Sequence, residues 1–341
     1  QVTNPPIDPL REKIVISTTL YLGRDADITT DTAANCHKVR IESPILSDQD
    51  YAKIEALDLP DLKVAKLGLA YDLTDRPNRL FHALDDLFKR AENAIDQGAS
   101  ILILSDRSTQ QHQLTIPVLL AVSGLHNYLV QQGKSTDASI VVDTAEACEL
   151  HHFACLVGYG ATAIHPYGAY ATLVSRGYEA KLGNYRLAAT NGIIKIMSRM
   201  GISTIAGYQG AQLFEAVGLS SEVVDQYFTG TPSRIGGLTL NQIEDEYMAK
   251  YRAAYDAHNI DDLPSGGSFQ FKSDGEHHLY NPESIYQFQK AVRSGSYEEY
   301  QKYAQQMNQE AISNPVTLRS MWEIQAKGRT SVSINEVEPV S

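Results

Sequence analysis

The sequence predicts an α/β fold: an incomplete β/α-barrel-like parallel sheet with flanking helices, followed by a helical C-terminal segment. Three observations point there. Strand-like and helix-like stretches alternate between about residues 63 and 230, the pattern of a sheet built from βαβ units. Ile101–Leu104 is a continuous apolar run, as in a strand buried on both faces. Glycines punctuate the ends of the helical stretches at Gly98, Gly133, Gly158 and Gly201, where a left-handed residue closes a helix.

In chain order, Pro5, Pro6 and Pro9 favour an extended entry strap. Ile14–Leu22 reads as a short strand, and 24–40 as loop. Ser47–Ala56 reads as a helix capped by Ser47. Val64–Leu73 is strand-like. Pro77–Gln97 is helical, with Leu80, Leu84, Leu87, Phe88, Ala91 and Ile95 at helical spacing. The next elements are a strand over 101–104, a helix over 117–131 and a strand over 140–142. A helix over 144–157 and a strand over 162–164 follow. Helices near 168–176 and 184–200 come next, then a strand over 202–205 and helices near 209–217 and 220–228. The count of four or five units falls short of the eight of a closed barrel. After Gly230 the pattern changes. Ser265-Gly266-Gly267-Ser268 reads as a linker. Two helices, 282–293 and 297–313, resemble a hairpin, and 317–322 could be another helix. A boundary is placed near 260–270.

The 341 residues carry 29 Lys and Arg against 41 Asp and Glu, a net charge of −12. Such a chain is not expected to be a general nucleic-acid binder, which needs basic surface. No apolar run is long enough to span a membrane. Three cysteines, Cys36, Cys148 and Cys155, suggest no disulfide framework and favour a reducing compartment. Residue 1 is Gln and the first methionine is Met197, so the chain is expected to be processed or to be an internal piece of a longer protein.

Ligands of α/β sheets bind beyond the carboxyl ends of the strands. Ser105, Asp106 and Arg107, Asp143 and Thr144, and His165 fall there, and they are the strand-end pocket candidates. Asp106 and Asp143 could equally cap the following helices or pair with Arg107. Cys148, His152 and Cys155 stand at i, i+4 and i+7, a spacing that suits a metal on one helix face; a helix packed on a sheet is the competing reading, and no metal is expected. His277-His278 reads as a loop pair. Arg234-Ile235-Gly236-Gly237 could cradle a phosphate or form a tight turn. No Walker, dinucleotide or nucleophile-elbow motif occurs.

Several blocks, in one order from residue 1 to the end, resemble the large subunit of glutamate synthase: QVTNPPIDPLRE, ASILILSDR, HHFACLVGYGATAIHPY, IIKIMSRMGISTIAGYQGAQLFEAVGL, YFTGTPSRIGG and HLYNPE followed by AVRSG. The resemblance implies that 1–260 is the central domain of that enzyme. It assigns 261–341 to a linker and the N-terminal helical part of the FMN-binding domain. It implies a whole enzyme that turns glutamine and 2-oxoglutarate into two glutamates. Ammonia would pass from an amidotransferase domain to an FMN synthase domain of the same polypeptide. A [3Fe-4S] cluster would relay electrons from an NAD(P)H-dependent small subunit or from ferredoxin; the donor stays open. This piece is expected to hold no cofactor and no catalytic residue, and to connect the two domains and contribute to the ammonia tunnel, with Thr3 and Asn4 as tunnel or interdomain candidates. The compartment implied is the cytoplasm, or the plastid stroma in a photosynthetic eukaryote. The alternative is a stand-alone barrel-type lyase or hydrolase using Asp106, Asp143 and His165.

Overall fold

The computed structural model describes residues 5–25, 27, 29–74, 77–255, 266–325 and 328–338. The chain divides into two compact units, Gln1–Asp256 and Ala257–Ser341.

The first unit opens with a short helix, α1 (Glu12–Val15), and a two-stranded antiparallel pair, β1 (Leu20–Leu22) and β2 (Val39–Ile41). The expected strand over 14–22 is therefore strand only at Leu20–Leu22, with Ile14 and Val15 in α1, where the chain has turned at Asp8, whose carboxylate accepts from the backbone of Leu10 and Arg11. Helix α2 (Asp48–Glu55) starts at Ser47 with a full capping box to Asp50, the arrangement that satisfies two orphan amides at once. Strand β3 (Asp58–Leu59) turns back into β4 (Leu62–Gly68). The expected strand 64–73 breaks at Leu69, whose backbone bonds both Ser105 and Ile116. Beyond it β5 (Ala70–Asp72) leaves the main sheet.

Helix α3 (Arg79–Asp96) buries all six apolar residues of its expected face. Next come β6 (Ala99–Ser105), buried along its whole length, β7 (Gln113–Thr115), which pairs with β5, and α4 (Val118–Gln131). They are followed by β8 (Ser139–Asp143), also wholly buried, α5 (Leu150–Gly158), β9 (Ala163–His165), α6 (Tyr167–Ser175) and α7 (Leu182–Met200). The main sheet has the order β3-β4-β6-β8-β9, with β4, β6, β8 and β9 parallel. The outer edge of β9 is covered by the 44–46 segment: Leu46 N donates to Ile164 O and Ile164 N to Pro44 O. This closes an edge that would otherwise invite pairing.

The remainder of the unit departs from the sequence reading. Helix α5 begins at Leu150, not at 144, because the 144–149 segment is held by side chains described below. The expected strand 202–205 gives way to a short helix, α8 (Ile205–Tyr208), capped by Thr204. The expected helix 209–217 is broken by Gly210 and Gln212, both at positive φ, and its end forms β10 (Ala216–Leu219). Helix α9 (Ser221–Tyr227) is capped by Ser220. Arg234–Gly237 is neither a tight turn nor a phosphate loop. It lies in β11 (Ser233–Leu238), parallel to β10, where Gly237 rests on the backbone of Gly218. Helix α10 (Leu240–Tyr255) has no counterpart in the sequence reading.

Two helices that lack a local cap are finished by carboxylates from elsewhere. Glu244 of α10 is buried, pairs with Arg79 at 2.5 Å and accepts from Leu80 N. Glu146 accepts from Val118 N at the start of α4 and from Tyr247 of α10. Both carboxylates meet the positive end of a helix.

In the second unit, α11 (Pro282–Ser294) starts from an Asn281 capping box with Pro282 in its first turn, and ends at Gly295. Helix α12 (Tyr297–Ser313), capped by Ser296, packs beside it through Phe288 and Tyr303. The last expected helix, 317–322, is a single 3₁₀ turn at Leu318–Met321. Among the described residues no helix is long and apolar enough to cross a membrane.

Glu244→Gln is expected to lower unfolding free energy by about 1–3 kcal/mol, since a buried amide or guanidinium loses its acceptor. Urea unfolding should show a lower midpoint with an unchanged slope.

Candidate functional site

The parallel register sets Ser105, Asp143 and His165 side by side at the carboxyl ends of β6, β8 and β9. The structure thus brings the strand-end residues together. It joins them in two linked clusters.

Asp143 centres the first and is fully buried. Ser105 Oγ donates to it at 2.8 Å, and Arg107 grips both carboxylate oxygens, Nε at 3.1 Å and Nη2 at 2.9 Å. His165 Nδ1 lies 2.8 Å from Oδ1, and the Tyr51 hydroxyl is shared between Asp143 at 3.3 Å and Glu55 at 3.2 Å. The other ring nitrogen of His165 meets Asp48 at 2.8 Å, and the ring stacks on Tyr51 with centroids 4.4 Å apart. Burial by itself would raise the Asp143 carboxyl, but the hydrogen bonds from His165, Arg107 and Ser105 outweigh it and hold the group well below the usual carboxylate range. Burial, together with the carboxylates of Asp143 and Glu55, pushes the Tyr51 hydroxyl up.

Asp106 centres the second cluster. It accepts from the Thr144 hydroxyl at 2.5 Å, from Ala145 N and from the Tyr167 hydroxyl at 2.6 Å. The Arg107 guanidinium lies 3.9 Å from the centre of the Tyr167 ring and so joins the clusters, a cation–π contact. These bonds pin residues 144 and 145, which is why helix α5 starts late.

A carboxylate has about four lone-pair positions, and Ser105 Oγ, two nitrogens of Arg107 and His165 Nδ1 converge on Asp143, with the Tyr51 hydroxyl shared between Asp143 and Glu55. It is therefore ionised and saturated, with no capacity left to take a proton as a general base. Ser105 donates to that carboxylate, and both nitrogens of His165 are engaged. Of the two readings of Asp106 and Asp143, pairing and loop capping describe their contacts. Tyr51, Asp48 and Tyr167 were not anticipated. Tyr167 could have been found, since it follows the His165-Pro166 strand end directly. Asp48 and Tyr51 come from a helix whose approach to β9 no local pattern announces.

The other candidates separate. Cys148 precedes α5 instead of lying on it, so the i, i+4, i+7 face does not form. His152 Nδ1 accepts from Cys148 N, while His151 lies 3.6 Å from Cys155. The two histidines thus serve different partners. Among the described residues no three His, Cys, Asp or Glu side chains gather into a metal site. Burial raises the Cys155 thiol to about 11, far from a reactive thiolate. His278 bonds Gly267 O, and His277 lies near Glu310. Thr3 and Asn4 lie outside the described residues.

Asp143→Asn is expected to destabilise the chain by about 3–5 kcal/mol, because Arg107 and His165 lose a buried partner. The depressed carboxyl contributes stability that is present above the ordinary Asp value of about 3.9 and lost as pH falls through the folded value. The acid limb of a stability–pH profile should therefore flatten in the variant.

A family model described as the glutamate synthase central domain matches residues 1–220. The glutamate synthase [NADPH] large chain of Bacillus subtilis is 40% identical, over 99% of this chain and 22% of its own length. Ferredoxin-dependent glutamate synthase 2 of Synechocystis is 36% identical over the whole of this chain and 23% of its own length. The NADH glutamate synthase of Saccharomyces cerevisiae is 33% identical over 99% of this chain and 17% of its own length. The chain spans about a fifth of the length of these curated relatives. With the family model covering well over half of its residues, the chain belongs to the glutamate synthase central domain family.

Proposed function

We propose that this chain is the internal connecting segment of a glutamate synthase, the enzyme that makes two glutamates from glutamine and 2-oxoglutarate, and that the segment itself carries no catalytic residue. The observation that carries the reading is the saturated strand-end network. In a β/α barrel those ends hold the ligand, often by a phosphate. Here Asp106 and Asp143 occupy them and the Arg107 guanidinium beside them is committed to Asp143. That donor set does not fit a flavin phosphate. FMN and a [3Fe-4S] cluster would then be held by other parts of the whole enzyme.

On this reading 1–260 is the central domain and 261–341 the linker and first helices of the FMN domain. The partners are the amidotransferase and FMN domains of the same polypeptide, with an NAD(P)H-dependent subunit or ferredoxin as electron source. The compartment is the cytoplasm, or the plastid stroma in a photosynthetic eukaryote. A passage for ammonia needs uncharged polar walls, since burying ammonium is costly, and Thr3 and Asn4 are of the right chemical type to line one.

Two measurements test this. The chain alone should show no flavin absorbance and form no glutamate from glutamine and 2-oxoglutarate with a reduced donor; turnover would overturn the non-catalytic reading. In the full-length enzyme, Asn4→Leu should raise the ratio of glutamine hydrolysed to 2-oxoglutarate consumed above parity. An unchanged ratio would remove Asn4 from the passage.

A further inference from the structure

A cleft of about 490 Å³ opens at the opposite end of the sheet, where β8 and β9 begin. Its volume lies in the range of small-molecule sites. His126 of α4 lines it, half-buried, and neither ring nitrogen has a protein partner among the described residues. Burial pushes the pKa of this ring down. At neutral pH it therefore presents one N–H donor and one lone pair.

The wall is shaped around that ring. Gly160, at φ +118°, lies so close that a Cβ there would stand 2.7 Å from Nδ1. Thr162, buried in the same lining, has a hydroxyl without a protein partner among the described residues. Gln209 donates its amide nitrogen to Ala161 O, which leaves its oxygen as an acceptor. The charged lining residues, Lys38 and Asp25, are paired with each other. An ion entering the cleft would lose hydration without gaining an unpaired counter-charge.

We propose that this cleft binds a small uncharged molecule with a hydrogen-bond donor and acceptor side by side, as in a primary carboxamide or a vicinal diol. His126 and Thr162 are its polar anchors. The site is separate from the strand-end network and does not depend on the function proposed above.

The test follows the His126 ring and the Gly160 and Gly210 amides by NMR in the intact chain. Acetamide, glycerol, acetate or methylammonium is added in turn. Acetamide or glycerol should give saturable shifts, and whichever binds identifies the carboxamide or the diol; acetate and methylammonium should leave the spectrum unchanged. His126→Phe keeps the ring volume, and Thr162→Val keeps the branched shape. Each should weaken binding at least about tenfold, ~1.4 kcal/mol. Should the Phe variant fail to fold, the Val variant carries the comparison. Absence of saturable shifts with both neutral probes, an equal response to the charged ones, or undiminished affinity in the folded variants overturns the proposal.

Discussion

A buried negative charge is tolerated only when the fold brings enough donors to it. Asp143 imposes that demand on this chain. Its donors come from β6, β9, α2 and the loop after β6, so those elements must all stand in one arrangement. Because β6, β8 and β9 are parallel and in register, the residues that meet this demand are neighbours by construction. Asp48 extends the chain of contacts to the start of α2, and Tyr167 ties the loop after β6 to the start of α6. The network is therefore the joint between the sheet and two of its helices.

A catalytic site keeps some polar capacity unspent until its substrate arrives. The strand ends of this unit spend theirs on one another. That distinction is what favours the proposed connecting role over an independent hydrolase or lyase using Asp106, Asp143 and His165. The residue types suit acid–base chemistry; their hydrogen bonds do not leave room for it.

The parts of the fold that local physics determines were legible in the sequence. The six apolar residues of α3, the Ser47 cap and the buried runs of β6 and β8 all carry their signal within a few residues. So did the grouping of Ser105, Asp143 and His165, since parallel strands end on one side. Elements controlled by distant partners were not legible. The segment 144–149 has helical composition, yet Asp106 holds it as a loop. The 202–219 stretch contains Gly210 and Gln212 at positive φ, and its second half finds a strand partner only at 233–238. Helix α10 was missed because only its first turn, at Leu240 and Ile243, packs apolar residues on the core, while Glu244 and Tyr247 make its other contacts through polar groups.

The cap on α3 has a further consequence during synthesis. Leu80 takes its acceptor from Glu244, 164 positions downstream. At typical translation rates that residue emerges roughly 8–33 s after the helix it completes. For that interval the first turn of α3 has its amides open to water, and the nascent unit must wait for its last helix before the layer around α3 can lock.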